Sequence, residues 1–325
     1  MSELALIERI AARARRRPGT ELGIGDDAAL LSVGGTAVVT QDLLVEDVHF
    51  RRATTSARDL GHKALAVNLS DLAAMAAEPI AAFVGLCLAP GVGDDEVDEL
   101  YEGMEALAAR HGVTVAGGDV SAGPALVLAV TAVGRAAAGV APTLRTGGRP
   151  GDLLCVTGAL GAAAAGLLLL ERPGLAPGLA PTTADRLRAA HLRPEPRLEA
   201  GRTLGRAGVR AMMDISDGLA LDALRLARAG GLRAAIELDA LPLADGVAEV
   251  AAAAGLDPRA LAATGGEDYE LLVALAPGDL EAARAALSCA LTPVGRLESG
   301  APDVRALDAE GMPVELGAPG WEHDV

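Results

Sequence analysis

The chain has 325 residues, 51% of them hydrophobic but only 2% aromatic, so alanine, leucine and valine must fill its core. That length suits two domains. A formal net charge of -16 argues against a nucleic-acid partner, whose phosphates would be repelled, and suits a protein that meets anionic ligands through divalent cations.

In chain order, the opening segment "MSELALIERIAARARRRPG" carries acids early and has no long apolar core. It reads as an amphipathic helix stopped near Pro18 and Gly19 rather than as a signal peptide. Strand-like runs follow at 36–45, 81–89, 112–119 and 125–136, with helix-like stretches at 56–77 and 94–112 between them. Strands alternating with helices predict an α/β or α+β domain. The loop "APTLRTGGRPGD" (141–152), rich in Gly, Pro, Arg and Thr, marks a domain boundary. We therefore expect domains 1–140 and 141–325. The second half restarts with a strand at 152–158 and a short Ala/Leu helix within 158–174 that is too brief to span a membrane. Next come a Pro/Gly loop entering a helix at 176–187, the turn "AMMDISDG", a helix at 219–231, and strands at 233–242 and 268–276. Cys87, Cys155 and Cys289 lie far apart, with no CxxC motif and no Cys/His cluster. They predict buried thiols in a reducing cytoplasm rather than zinc ligands or disulfides.

Six segments carry acids on turns or at element ends: "GIGDDAAL" (23–30), "TQDLLVEDVHF" (40–50), "NLSDLAAM" (68–75), "AGGDVSAG" (116–123), "AMMDISDG" (211–218) and "GGEDYELL" (265–272). A helix cap or an Asx turn would explain any one of them alone. Jointly they mean more. Asp27, Asp42, Asp71, Asp119, Asp214 and Asp217 each end an apolar or small-residue run. Two carboxylates about 4 Å apart repel by roughly 4 kcal/mol at an effective dielectric near 20. A site gathering several must protonate them or bind cations. Oxygen donors without thiolates or a histidine pair favour Mg²⁺ or Mn²⁺ over zinc.

The phosphate-loop signature G-x-x-x-x-G-K-[ST] is absent, and Lys63 is the only lysine. The glycine-rich "VAGGDVSAG" could cradle a phosphate with backbone N–H groups or could be an ordinary hairpin turn. Arg145 is a candidate phosphate cation.

The order and wording of "ELGIGDDAALL", "DLLVEDVHF", "GHKALAVNLSDLAAMAAEP", "AGGDVSAG", "LRPEPR", "MDISDGLALD", "GGEDYELL" and "GWEHD" resemble the thiamine-monophosphate kinase family. That family belongs to the superfamily of aminoimidazole ribonucleotide synthetase and selenophosphate synthetase. The resemblance implies a two-domain α/β (α+β) fold with an N-terminal sheet domain that binds metal and ATP and dimerises, and a C-terminal α/β domain that completes the active site. It implies direct in-line transfer of the ATP γ-phosphoryl group to thiamine monophosphate, with several Mg²⁺ ions and no phosphoenzyme, in a homodimer. By the same resemblance Asp27, Asp42, Asp71, Asp119, Asp214 and Asp217 match magnesium ligands, and Thr40 and Gln41 stand at metal-binding hydroxyl positions. Gly118, Asp119, Arg145 and Ser216 match ATP contacts, and His111 stands where some members place an aromatic. His49, Glu267 and Trp321 match substrate-binding positions.

Three departures stand out. Gln41 replaces a commoner Thr, so a backbone carbonyl could still serve a metal there but a hydroxyl ligand could not. "GGDVSAG" lacks the Thr-Thr-Arg often seen, and the tail lacks the His-Phe pair. A selenophosphate synthetase fits less well, because no Cys precedes Cys87 and no Lys precedes Lys63.

Overall fold

The computed structural model describes residues 9–24 and 29–322. The chain forms two compact units. One comprises the residues through Leu72 together with Ala77–Ala138, and the other Ala73–Ala76 together with Gly139 onward.

The first unit is built on a four-stranded sheet in the order β3-β6-β4-β5. Its strands are β3 (Ala37–Val45), β4 (Ala77–Leu88), β5 (Thr114–Ala122) and β6 (Val127–Ala136). β3 and β4 each run antiparallel to β6, and β4 pairs with β5 in parallel. The parallel pair needs a crossover, which α2 (Asp94–His111) supplies after α1 (Ala57–Ala74). A two-stranded ribbon, β1 (Thr20–Leu22) with β2 (Leu30–Leu31), completes the unit's sheets.

Alternation along β6 buries Leu128, Val130 and Ala132 on one face, and both helices are rich in buried residues. The two helices meet backbone to backbone. A Cβ on Gly61 would lie 1.8 Å from the Leu100 carbonyl oxygen, and one on Gly103 would lie 1.9 Å from that of Arg58. Residues 9–13 are helical, as the opening segment predicts. The arginines there and just beyond pair with acids on α2: Arg13 with Glu102 at 3.2 Å and Arg17 with Glu105 at 2.8 Å. These arginines therefore clamp the N-terminal segment onto the unit.

The second unit holds a seven-stranded mixed sheet in the order β13-β12-β9-β11-β7-β10-β8. The strands are β7 (Leu153–Thr157), β8 (Ala211–Asp214), β9 (Arg233–Glu237), β10 (Leu271–Leu275), β11 (Leu291–Glu298), β12 (Asp303–Leu307) and β13 (Pro313–Val314). Only the β12–β9 pair is parallel. The helices are α3 (Ala162–Glu171), α4 (Pro181–Leu192), α5 (Leu198–Arg206), α6 (Leu219–Gly230), α7 (Val247–Ala254), α8 (Pro258–Thr264) and α9 (Leu280–Ala286).

The core joins Leu154, Met213, Leu226, Ile236, Leu272 and Leu297, all aliphatic or thioether side chains, as a chain with so few aromatics requires. Two strands are shorter than the sequence pattern predicts. The run 233–242 is a strand only to Glu237, where a 3₁₀ turn over Leu238–Ala240 takes over. The run 268–276 becomes a strand only at Leu271, because the residues before it are irregular and bond to Ile215 and Ser216. No described helix is long and apolar enough to cross a membrane.

Candidate active site

In the first unit, β3 carries the first group of predicted residues. Successive side chains on a strand point to opposite faces. Val38 and Leu44 are buried, and Thr40 and Asp42 share their face, half-buried. Val39, Gln41 and Leu43 lie exposed on the other face. The Gln41 side chain is thus on the opposite side of the strand from Asp42. The Thr40 hydroxyl donates a hydrogen bond to the carboxylate of Asp71, in the last turn of α1. Strand β3 and helix α1 therefore bring Thr40 and Asp71 together, with Asp42 two residues along the same face.

His49 lies just past β3. Its Nδ1 accepts the Val45 N–H at 3.0 Å, so a neutral His49 carries its proton on Nε2.

Gly118 and Asp119 lie in β5, opposite Val84 and Gly85 of β4. A Cβ on Gly118 would stand 2.1 Å from the Val84 carbonyl oxygen, so only glycine fits there. Asp119 is exposed, and its carboxylate accepts the Val120 N–H at 3.0 Å. His111 is the last residue of α2.

In the second unit, Asp214 ends β8 and is 2% exposed. The chain then turns through Ile215, Ser216 and Asp217 into α6. Gly218 is the helix N-cap and offers no side-chain cap. The turn is held instead by Asp222, in the first turn of the helix. Its Oδ2 accepts the N–H groups of Ser216 and Asp217, both at 3.0 Å. Arg225 donates to Asp222 Oδ1 at 2.9 Å and also to the carboxylate of Asp217. Asp222 is fully buried, and desolvation pushes its pKa up to about 6 against the pull of the Asp217 N–H and of Arg225.

The segment "GGEDYELL" runs beside this turn. Ile215 N–H donates to the Glu270 carbonyl at 2.8 Å, Tyr269 N–H to that of Ile215 at 2.9 Å, and Glu267 N–H to that of Ser216 at 2.7 Å. Glu267 and Tyr269 have φ of 68° and 49°, a left-handed conformation that is costly for side chains of their size and clusters at functional sites. The Glu267 carboxylate meets His191 Nδ1, at the end of α4, at 2.8 Å. Asp268 accepts the N–H groups of Gly161 and Ala163 at the start of α3, at 2.8 and 3.3 Å. Desolvation pushes its pKa up to about 7, against those hydrogen bonds.

Trp321 also reaches this turn. Its N–H donates to the Asp217 carbonyl at 3.0 Å, and the residue is 44% exposed. Arg145 is exposed on the 141–147 loop, where Leu144 accepts the Met212 N–H of β8 at 3.2 Å. The neighbours Leu144 and Thr146 line a cleft of about 430 Å³ with Arg206 and Arg210.

The second unit thus brings Asp214, Ser216, Asp217, Glu267 and Trp321 onto one hydrogen-bonded junction, with Arg145 on the loop along β8. The first unit joins Thr40 to Asp71. Asp27 lies outside the described residues. Among the described residues, no three His, Cys, Asp or Glu side chains gather closely enough to hold a metal ion. The donors themselves are carboxylate, hydroxyl and carbonyl oxygens, a set that fits Mg²⁺.

Sequence reasoning missed Asp222, Arg225, His191 and the Arg197–Glu270 pair. An acid in the first turn of a predicted helix was a usable signal for Asp222. The others depend on tertiary pairing that no local pattern encodes.

Residues 25–136 match the family model for the N-terminal domain of AIR synthase related proteins, and residues 149–305 match the model for the C-terminal domain. The chain is 35% identical to thiamine-monophosphate kinase of Bacillus subtilis (strain 168), over 99% of both chains. The crystal structure of thiamine-monophosphate kinase from Stenotrophomonas maltophilia K279a matches with a TM-score of 0.83 and 38% identity, covering 97% of this chain and 98% of that one. The structure of AaThiL complexed with AMPPCP and TMP matches with a TM-score of 0.77 and 30% identity, covering 99% and 96%.

Proposed function

Because the chain belongs to the thiamine-monophosphate kinase family, we propose that it transfers the γ-phosphoryl group of ATP directly, in line, to thiamine monophosphate and so makes thiamine diphosphate. The observation that carries this reading is the near full-length match to a relative solved with AMPPCP and TMP.

Both substrates are anionic, and so is the chain, at -16. Bound Mg²⁺ would supply the positive charge that lowers the repulsion between the two phosphates. The residues that would hold it are Asp27, Asp42, Asp71, Asp119, Asp214 and Asp217, with the Thr40 hydroxyl and the Gln41 carbonyl.

The acceptor is a phosphate oxygen already ionised at neutral pH, so the chain needs no general base. Its task is to position two phosphates and stabilise charge. Backbone N–H groups around Gly118, the guanidinium of Arg145 and the hydroxyl of Ser216 contact ATP, with His111 near the adenine. Glu267 and His49 orient the thiamine moiety. Trp321 offers a half-exposed ring face to its cationic part, an attraction of ~0.5–2 kcal/mol.

The protein works as a homodimer. Support comes from β3, a sheet edge strand whose Val39 and Leu43 are 60% and 52% exposed. Residues 1–140 carry that sheet together with metal and ATP positions, and residues 141–325 supply the remainder. The three free cysteines support the reducing cytoplasm as its compartment.

The test is turnover. With ATP, thiamine monophosphate and Mg²⁺, the purified protein yields thiamine diphosphate and ADP in equal amounts. Absence of product under those conditions refutes the proposal.

A further inference from the structure

Helix α6 begins without a side-chain cap, because its N-cap is Gly218. An α-helix leaves its first N–H groups without intrahelical partners. Here the C-terminal segment supplies one of them: Leu221 N–H donates to the Pro319 carbonyl at 3.1 Å. Two residues on, Trp321 N–H donates to the Asp217 carbonyl at 3.0 Å. The segment Pro319–Gly320–Trp321 is therefore stitched to the acidic turn on both sides of Gly320.

Gly320 itself has no room for a side chain. A Cβ there would lie 2.3 Å from the Asp217 carbonyl oxygen and 2.7 Å from Leu221 Cβ. The first of these neighbours is backbone of the turn and cannot swing aside as a flexible side chain would. Glycine at 320 is what lets the two backbones approach to hydrogen-bonding distance.

We propose that Gly320 is a positioning residue for substrate recognition: by seating the tail on the Asp217–Leu221 turn, it fixes where the Trp321 ring stands relative to that turn. The proposal rests on the reading of Trp321 as the residue that meets the thiamine moiety. It assigns to Gly320 a role distinct from ring stacking, because Gly320 has no side chain and lies against the turn.

The test is Gly320→Ala in the full chain. Trp321 is the only tryptophan, so its fluorescence reports tail seating whether or not the protein turns over. The expected result has two parts. Acrylamide quenches the variant more strongly than the parent, and KM for thiamine monophosphate rises about five-fold or more while KM for ATP and kcat hold, the size of a lost ring contact. Unchanged quenching overturns the proposal, as does increased quenching with both KM values unchanged. Both KM values rising alike would mark a general structural defect and also overturn it. A parent protein that makes no thiamine diphosphate defeats the functional reading, and the positioning role with it. That failure is told apart by the parent's own turnover, while quenching still shows whether Gly320 seats the tail.

Discussion

Arg197 grips Glu270 with two guanidinium nitrogens, Nε at 2.8 Å from Oε2 and Nη2 on Oε1, and Thr157 donates to the same Oε2 at 2.6 Å. This pair joins the segments "LRPEPR" and "GGEDYELL" and anchors the residue next to the left-handed Tyr269. The two partners are unequally buried: the Glu270 side chain is 5% exposed and that of Arg197 32%. Arg197→Met would strand a buried carboxylate and should cost about 3 kcal/mol. Glu270→Gln leaves an arginine that can still reach solvent and should cost clearly less. Urea unfolding of both variants checks the order, and equal losses would mean that stranding the buried carboxylate carries no extra penalty.

The first-unit strands and helices were legible because the apolar patterns there are long, and the second helix stops at Gly112. The 94–112 pattern became α2 almost residue for residue. The stretch 268–276 misled because "DYELLVALA" has a strand composition throughout. Its first residues are held out of the strand by backbone bonds to Ile215 and by the Asp268 bonds to α3, contacts more than fifty residues away in sequence. The aspartates were visible one by one, but Arg225 on Asp217 was not, since an arginine on a helix face reads as solvated.

Asp71→Asn should cut kcat by roughly 100-fold or more, the size of losing one electrostatic stabiliser of a transition state. The fold should survive, because the Asn oxygen can still accept the Thr40 hydroxyl that Asp71 accepts now. Chelating Mg²⁺ should abolish the parent's turnover, and adding it back should restore it. A variant with parental kcat would reduce Asp71 to a helix residue, and turnover in excess chelator would remove the metal from the mechanism.

Asp268 gives a pH dependence of stability. Its pKa is raised to about 7, from an ordinary value near 3.9 in the unfolded chain. Between these values the folded state holds a proton that the unfolded state has released, so this residue's contribution to stability falls as pH rises from about 4 to about 7. Asp268→Asn cannot titrate. The stability difference, parent minus variant, should therefore shrink over that window in urea titrations at stepped pH. A difference that is flat or grows with pH would place the Asp268 pKa at or below its ordinary range.

Val39 and Leu43 lie on the exposed face of β3, with Gln41 between them. A monomer would leave both in water. If a second subunit covers this face, Val39→Glu with Leu43→Glu should convert a dimer into a folded monomer, seen by sedimentation at micromolar concentration with circular dichroism unchanged. A parent that already sediments as a monomer ends the dimer reading.

For Trp321, substrate stacking and tail packing make different demands. The hydrogen bond from position 321 to Asp217 comes from the backbone N–H, and the neighbouring one uses the Pro319 carbonyl. Neither needs the indole, and the residue is 44% exposed. Trp321→Ala should therefore lower the melting temperature little. If the ring stacks on the thiamine moiety, the same variant should raise KM for thiamine monophosphate about five- to thirty-fold, corresponding to ~1–2 kcal/mol, and leave KM for ATP nearly unchanged. In the parent, thiamine monophosphate should quench the single tryptophan with saturation, whereas Mg·ATP alone should change it little. No quenching by thiamine monophosphate, with a clearly lowered melting temperature in the alanine variant, would make the ring a packing element of the tail.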